Sequence, residues 1–197
     1  MNKVAVVIGA LLLLIAGSFA IFYFYGTQIY DGAVKRDEAA KQTWANVQSD
    51  YQRRADLIPN LVATVQGAAE NEKDILTQVI NARAGISNAQ TPQEMDQQAS
   101  VLNRSIAVIF ERYPEIRSTE NFGMLQVQLE GTENRIKKSR DDYNAAVKDF
   151  NEYVRGFWRS KALSFVAGED DDFKKKEMFE AKEGSENAPQ VDFSKPK

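Results

Sequence analysis

FGMLQVQLEGTENRIKKSRDDYNAAVKDFNEYVRGF, residues 122–157, carries large apolar side chains seven apart: Phe122, Leu129, Ile136, Tyr143, Phe150 and Phe157. Leu125, Ala146, Val147, Tyr153 and Val154 fill the positions beside them. Seven residues are close to two helical turns, so such a repeat keeps one narrow face of an α-helix apolar along its length. A helix of this kind cannot bury its seam alone. Its partners come either from the same chain, as a long antiparallel bundle of three or four helices, or from other copies.

Upstream, over residues 28–84, Trp44, Val47, Tyr51, Ile58, Leu61, Val65, Ala68, Ile75 and Val79 recur at spacings of three and four. This predicts one long helix, or two stacked in line. Pro59 lies within it. Proline in a helix interior lacks a donor and clashes with the preceding turn, costing about 3 kcal/mol or more. Either the helix kinks there or a new helix begins with Pro59 in its first turn. The apolar stripe keeps its phase across Pro59, which favours a kink, with Asn60 placed to satisfy a freed carbonyl.

Residues 85–90 (GISNAQ) read as a loop. Thr91-Pro92-Gln93-Glu94 reads as a helix start, with Thr91 as cap, Pro92 in the first turn and Glu94 completing a capping box. That helix carries Met95, Leu102, Ile106, Ile109 and Phe110, and ends near Tyr113 because Pro114 disfavours helix before it. Beyond Phe157 the pattern decays. A short last helix is expected over residues 173–181. The composition of residues 183–197 is that of a tail, in which Val191 and Phe193 order only if they find a groove.

The N-terminus bears on location. Residues 4–25 (VAVVIGALLLLIAGSFAIFYFY) contain no charge. As a helix they reach about 33 Å, enough to cross a hydrocarbon core of about 30 Å. Phe22, Tyr23, Phe24 and Tyr25 form an aromatic belt at one end. A cleaved signal peptide is the rival reading, with Lys3 as basic flank and Ser18-Phe19-Ala20 as cleavage site. The apolar run is longer than a signal core and continues past Ala20, which favours a single-pass anchor in the cell membrane. Lys35, Arg36 and Lys41 outnumber Lys3, which places the larger part in the cytoplasm by a small margin. The expected division is an anchor with its flank over residues 1–27, a helical bundle over 28–182 and a tail over 183–197. The fold class is all-α.

The chain has no Cys and no His among its 197 residues. Thiol nucleophiles, disulfides, imidazole bases and imidazole metal ligands are therefore excluded. A net charge of −3 offers a polyanion no general attraction, and no nucleic-acid module is visible. No Gly-rich phosphate loop or Ser nucleophile motif is present. Two polar groups stand out. Arg53 and Arg54 adjoin the apolar stripe and face about 100° apart on a helix. They fit either a phosphate, headgroup or carboxylate ligand, or a pairing of Arg54 with Glu130, Glu133 or Asp56 that fixes helix register. Glu130, Glu133 and Asn134, with Arg135 and Arg140, form the second group. Two carboxylates without a third ligand make a poor metal site, and the expectation is no metal, no cofactor and no catalytic pair.

Trp44, Val47, Tyr51, Arg53, Arg54, DLIPNLV (56–62), TENRI (132–136), Arg140, Tyr143-Asn144, Val147, Phe150-Asn151 and Phe179-Glu180 together resemble the LemA family of bacterial membrane proteins. The resemblance runs over residues 42–193. It implies one N-terminal membrane helix and a long antiparallel bundle, and it implies no reaction. It also implies scaffold or stress-envelope roles, with some relatives beside membrane proteases. The chain departs from the family in having Trp158 where a proline usually follows the last seam Phe, so the helix is expected to run on past Phe157. The expected function is a non-enzymatic scaffold that binds the membrane and other proteins, a membrane protease or further copies among them. The alternative is a sensor that binds an anionic headgroup or metabolite through Arg53 and Arg54.

Overall fold

The computed structural model describes residues 3–66, 73–112, 120–167 and 173–180. The side chains of Val65, Ala68, Ile75, Phe110 and Phe122, the residues Tyr113 and Pro114, and the tail with Val191 and Phe193 lie outside the described residues. Among the described residues six helices follow in order: α1 (Lys3–Ala55), α2 (Ile58–Gln66), α3 (Lys73–Asn88), α4 (Pro92–Arg112), α5 (Glu120–Arg155) and α6 (Phe157–Val166). Among the described residues there is no strand, and the bundle is antiparallel.

The backbone of the fold is the pair α1 and α5. Arg36 meets Asp149, Tyr51 meets Arg140 and Arg54 meets Glu133, so the two helices run in opposite directions over some five turns. Leu129, Ile136, Tyr143 and Phe150 are buried at the seven-residue spacing of α5. The opposing seam on α1 is also seven apart, and it is small: Gly26, Ala33, Ala40 and Val47 are buried, followed by Arg54. Small residues on one helix leave room for Tyr and Phe on the other. At Gly32 there is no room for a side chain, since a Cβ would collide with the Tyr153 hydroxyl.

The predicted helix over residues 28–84 is corrected in two ways. α1 begins at Lys3, takes in the whole apolar run and stops at Ala55, and Asp56 and Leu57 form a turn. Pro59 then lies in the first turn of α2, where its missing N–H is harmless. The second correction concerns direction. The Ser87 hydroxyl donates to the Gln52 side chain and Arg83 reaches Ala55, so α3 runs back alongside α1. A periodic stripe is the same whether the next helix continues or returns.

The capping box at α4 is reciprocal. The Glu94 amide donates to Thr91 Oγ1 at 3.2 Å, and the Glu94 carboxylate accepts from the amides of Thr91 and Gln90. The predicted loop over residues 85–90 is shorter than expected, since α3 continues through Asn88. With α4 beside α3, the end far from the apolar run holds four packed helices, and the near end holds α1 and α5 with α6.

Two expectations fail at the C-terminal side. Phe157 is not a seam residue, because α5 ends at Arg155 and Gly156 breaks the helix with φ −57° and ψ 132°. Phe157 is 70% exposed. Residues 173–180 are not helical either. They form an extended strap along the α1–α5 pair, held by Asn144 and Asn151 of α5 and by Asp37 of α1.

Candidate functional site

The stretch around Pro59 explains itself first. A proline at position 59 leaves the carbonyl of Ala55 without its helical donor. Arg83 supplies the replacement, its Nε donating to Ala55 O at 3.0 Å, and its Nη2 lies 3.6 Å from Asp56 Oδ1. Asn60, expected to satisfy a freed carbonyl, is exposed. The helix break and the return of α3 are thus joined by one side chain.

Arg54 and Arg53 part company as their angular separation requires. Arg54 is 8% exposed and forms an ion pair with Glu133 of α5. Arg53 is exposed and borders a shallow depression with Asp50, Arg135, Lys138 and Asp142. Glu130 accepts from Gln126 one turn away, at 3.0 Å, and Asn134 is exposed beside Glu133. Among the described residues no three acidic groups converge on a metal position.

Arg140 is the residue that sequence reasoning underrated. It grips Asp96 of α4 with both terminal nitrogens, at 2.7 and 3.1 Å. It also donates weakly to the Tyr51 hydroxyl at 3.5 Å and stands over the Phe179 ring, 4.4 Å from its centroid. One guanidinium therefore ties α1, α4, α5 and the strap, as its planar fork permits. Burial pushes the Tyr51 phenol up to about 12; Arg140 opposes that and the Asp96 and Glu133 charges add to it. Tyr51 stays neutral throughout the physiological range. Tyr51, Arg54, Asp96, Ser100, Asn103, Glu133 and Arg140 surround a polar cavity of about 110 Å3. The charged groups balance, Arg54 and Arg140 against Asp96 and Glu133.

The strap is held by side chains that imitate a neighbouring strand. The Asn144 amide donates to Phe179 O and its oxygen accepts from Phe179 N, both at 2.9 Å. Asn151 does the same to Lys176 O and N, again at 2.9 Å. Seven helical residues rise about 10.5 Å, and three extended residues span about 10 Å, so the two ladders coincide. The Tyr143 hydroxyl adds a bond to Glu177 O at 3.0 Å. Phe179 enters an aromatic cluster with Trp44 and Tyr143, while Phe173 meets Tyr30 and Phe150. Lys176 reaches Asp37 at 2.7 Å.

The elements that make this arrangement, from Trp44 through Arg54, Arg83, Arg140, Asn144 and Asn151 to Phe179, fall within residues 43–193, the span matched by the model of the LemA family. The chain belongs to the LemA family.

Two curated relatives of this LemA-family chain are the magnetosome proteins MamQ 1 and MamQ 2 of Paramagnetospirillum magneticum. Each is 35% identical over 83 residues, which is 42% of this chain and 28% of the relative. The matched stretch is thus less than a third of the length of those relatives. In the LemA-family chain, the parts that periodicity did not reveal are the small seam of Gly26, Ala33 and Ala40 and the paired asparagines. Their signals were present, as a seven-residue spacing of small residues on α1 and of Asn on α5.

Proposed function

We propose that this LemA-family chain is a non-enzymatic, single-pass membrane-anchored scaffold. Its apolar N-terminal run would hold the helical bundle at a bilayer, where the bundle binds and organises membrane or stress-response partners. The observation that carries the reading is the continuity of α1. Every residue from 4 to 25 except Gly9 is exposed, and the same helix passes without a break into the seam that binds α5. An apolar surface of that length facing water is unfavourable at about 25 cal/mol per Å2, whereas lipid accommodates it. Positive charge on the domain side supports a cytoplasmic bundle.

Of the two arginines that the sensing alternative needs, Arg54 is already neutralised by Glu133, whereas Arg53 lies with Arg135 and Lys138 in a depression that holds two acids, Asp50 and Asp142. The test is in-cell crosslinking of the full chain followed by detergent extraction and co-purification. The expected result is extraction only by detergent, together with crosslinks to other membrane proteins or to further copies. A full-length chain recovered in the soluble fraction, or one that stays monomeric and partnerless by both methods, overturns the proposal.

A further inference from the structure

We propose that α6 is a second membrane contact, a short helix that lies in the headgroup region beside the span. This rests on the anchoring of the apolar run, and adds to it a surface of defined composition. α6 crosses α1 where the apolar run ends. A Cβ placed on Gly26 would lie 2.5 Å from Val166 Cγ2, so the Val166 side chain packs directly on the α1 backbone at that level. The ring of Phe165 goes one turn further, edge-on to Phe22 at 5.3 Å and to Phe19 at 6.2 Å. Both partners belong to the apolar run itself.

The two faces of α6 are distinct. Ala162 and Leu163 are buried, and Leu163 joins a small core with Ala33, Phe150 and Val154. At about 100° per residue, Phe157, Lys161, Phe165 and Trp158 fall within an arc of about 100° on the opposite side. Phe157, Trp158 and Phe165 are 70%, 79% and 54% exposed. Three large aromatics exposed on ten residues are a costly surface in water. Their chemistry matches the headgroup zone, where tryptophan is enriched and long cationic side chains reach out to phosphates.

Charge agrees. Arg155, Arg159 and Lys161 lie between residues 154 and 167, and no acid does. Arg159 stands over the Tyr153 ring at 4.4 Å, which keeps its charge at this end of the bundle. A basic, aromatic face adjoining an apolar span fits an anionic lipid surface, and binding should strengthen with the fraction of anionic lipid.

Full-length protein reconstituted in vesicles of phosphatidylcholine and phosphatidylglycerol, carrying a photoreactive lipid, tests this without mutation. After illumination and trypsin, label is sought on residues 4–25, on the peptide holding Phe157 and Trp158, and on the peptide holding Phe165. The expected result is label on all three, with the Trp158 peptide labelled about twofold more in vesicles rich in phosphatidylglycerol than in pure phosphatidylcholine. Label on residues 4–25 with none on the Trp158 peptide overturns the role of α6 and leaves the anchor standing. Label on neither overturns both.

Discussion

Asn144 and Asn151 stand two turns apart on α5, and each holds one residue of the strap through both its backbone N–H and its backbone C=O. A helix thereby presents a surrogate strand edge to an extended segment. Replacing Asn144 by Ala removes two hydrogen bonds worth about 1 kcal/mol each and leaves the Phe179 backbone unpaired. The expected loss is about 2 kcal/mol locally, read as faster amide exchange at Phe179 and faster tryptic cleavage around Lys176. Asn144→Asp should do nearly as much harm, since a carboxylate cannot donate to Phe179 O.

The Arg54–Glu133 pair is asymmetric, with Arg54 buried and Glu133 half exposed. Glu133→Ala strands a buried guanidinium and should cost about 3 kcal/mol of unfolding free energy. Arg54→Met removes the charge, keeps much of the volume and releases Glu133 to water, so it should cost clearly less. Denaturant melts of both variants give the order, and equal losses would contradict it.

Asp37 gives the strap a dependence on pH. Burial alone would raise its carboxyl, but the hydrogen bonds and charges of Lys176 and Lys41 together outweigh that and hold it below the usual carboxylate range. A group depressed in the folded state contributes stability above its unfolded value of about 3.9 and loses it as pH falls through the folded value. The strap should therefore loosen below about pH 4. Trp44, whose ring lies 5.9 Å from Phe179, reports this by its emission. In Asp37→Asn the strap is weakened at pH 7, and the acid step is correspondingly smaller.

The crossing of α1 and α6 can be trapped. A Cβ on Gly26 would lie 3.8 Å from the Val166 Cβ, which is the mean separation across a disulfide. The chain has no cysteine of its own, so a Gly26→Cys, Val166→Cys pair has no competitor. Oxidation should link the pair rapidly and shift its electrophoretic mobility, whereas Gly26→Cys with Phe157→Cys should not close.

What could be read from the sequence follows from what periodicity encodes. The seam of α5 was legible because four large residues at sevenfold spacing leave one solution. The cap at Thr91 was legible because its chemistry is local. The break at Pro59 was visible as a choice, and the phase of the stripe pointed the wrong way: a two-residue turn at Asp56 and Leu57 leaves Ile58 facing the core as a continuous helix would. The return of α3 was not legible, since hydrophobic spacing carries no direction. At the site, Arg54 beside Glu133 was among the pairings that spacing allowed. Arg83 on Ala55 O was not, because a single side chain that bonds to a distant backbone leaves no repeat behind; Asn144 and Asn151 left a seven-residue spacing, but nothing in it points to an extended partner.

α1 has no joint between Lys3 and Ala55. On the proposed anchoring, the inclination of its first half is passed to the second as on a lever. The stretch from residue 25 to residue 55 measures about 45 Å, so a change of about 10° carries the far end through about 8 Å. The inclination of a lone span depends on how thick the surrounding lipid is. Bilayer thickness would then be converted into the height and reach of the four-helix end above the surface.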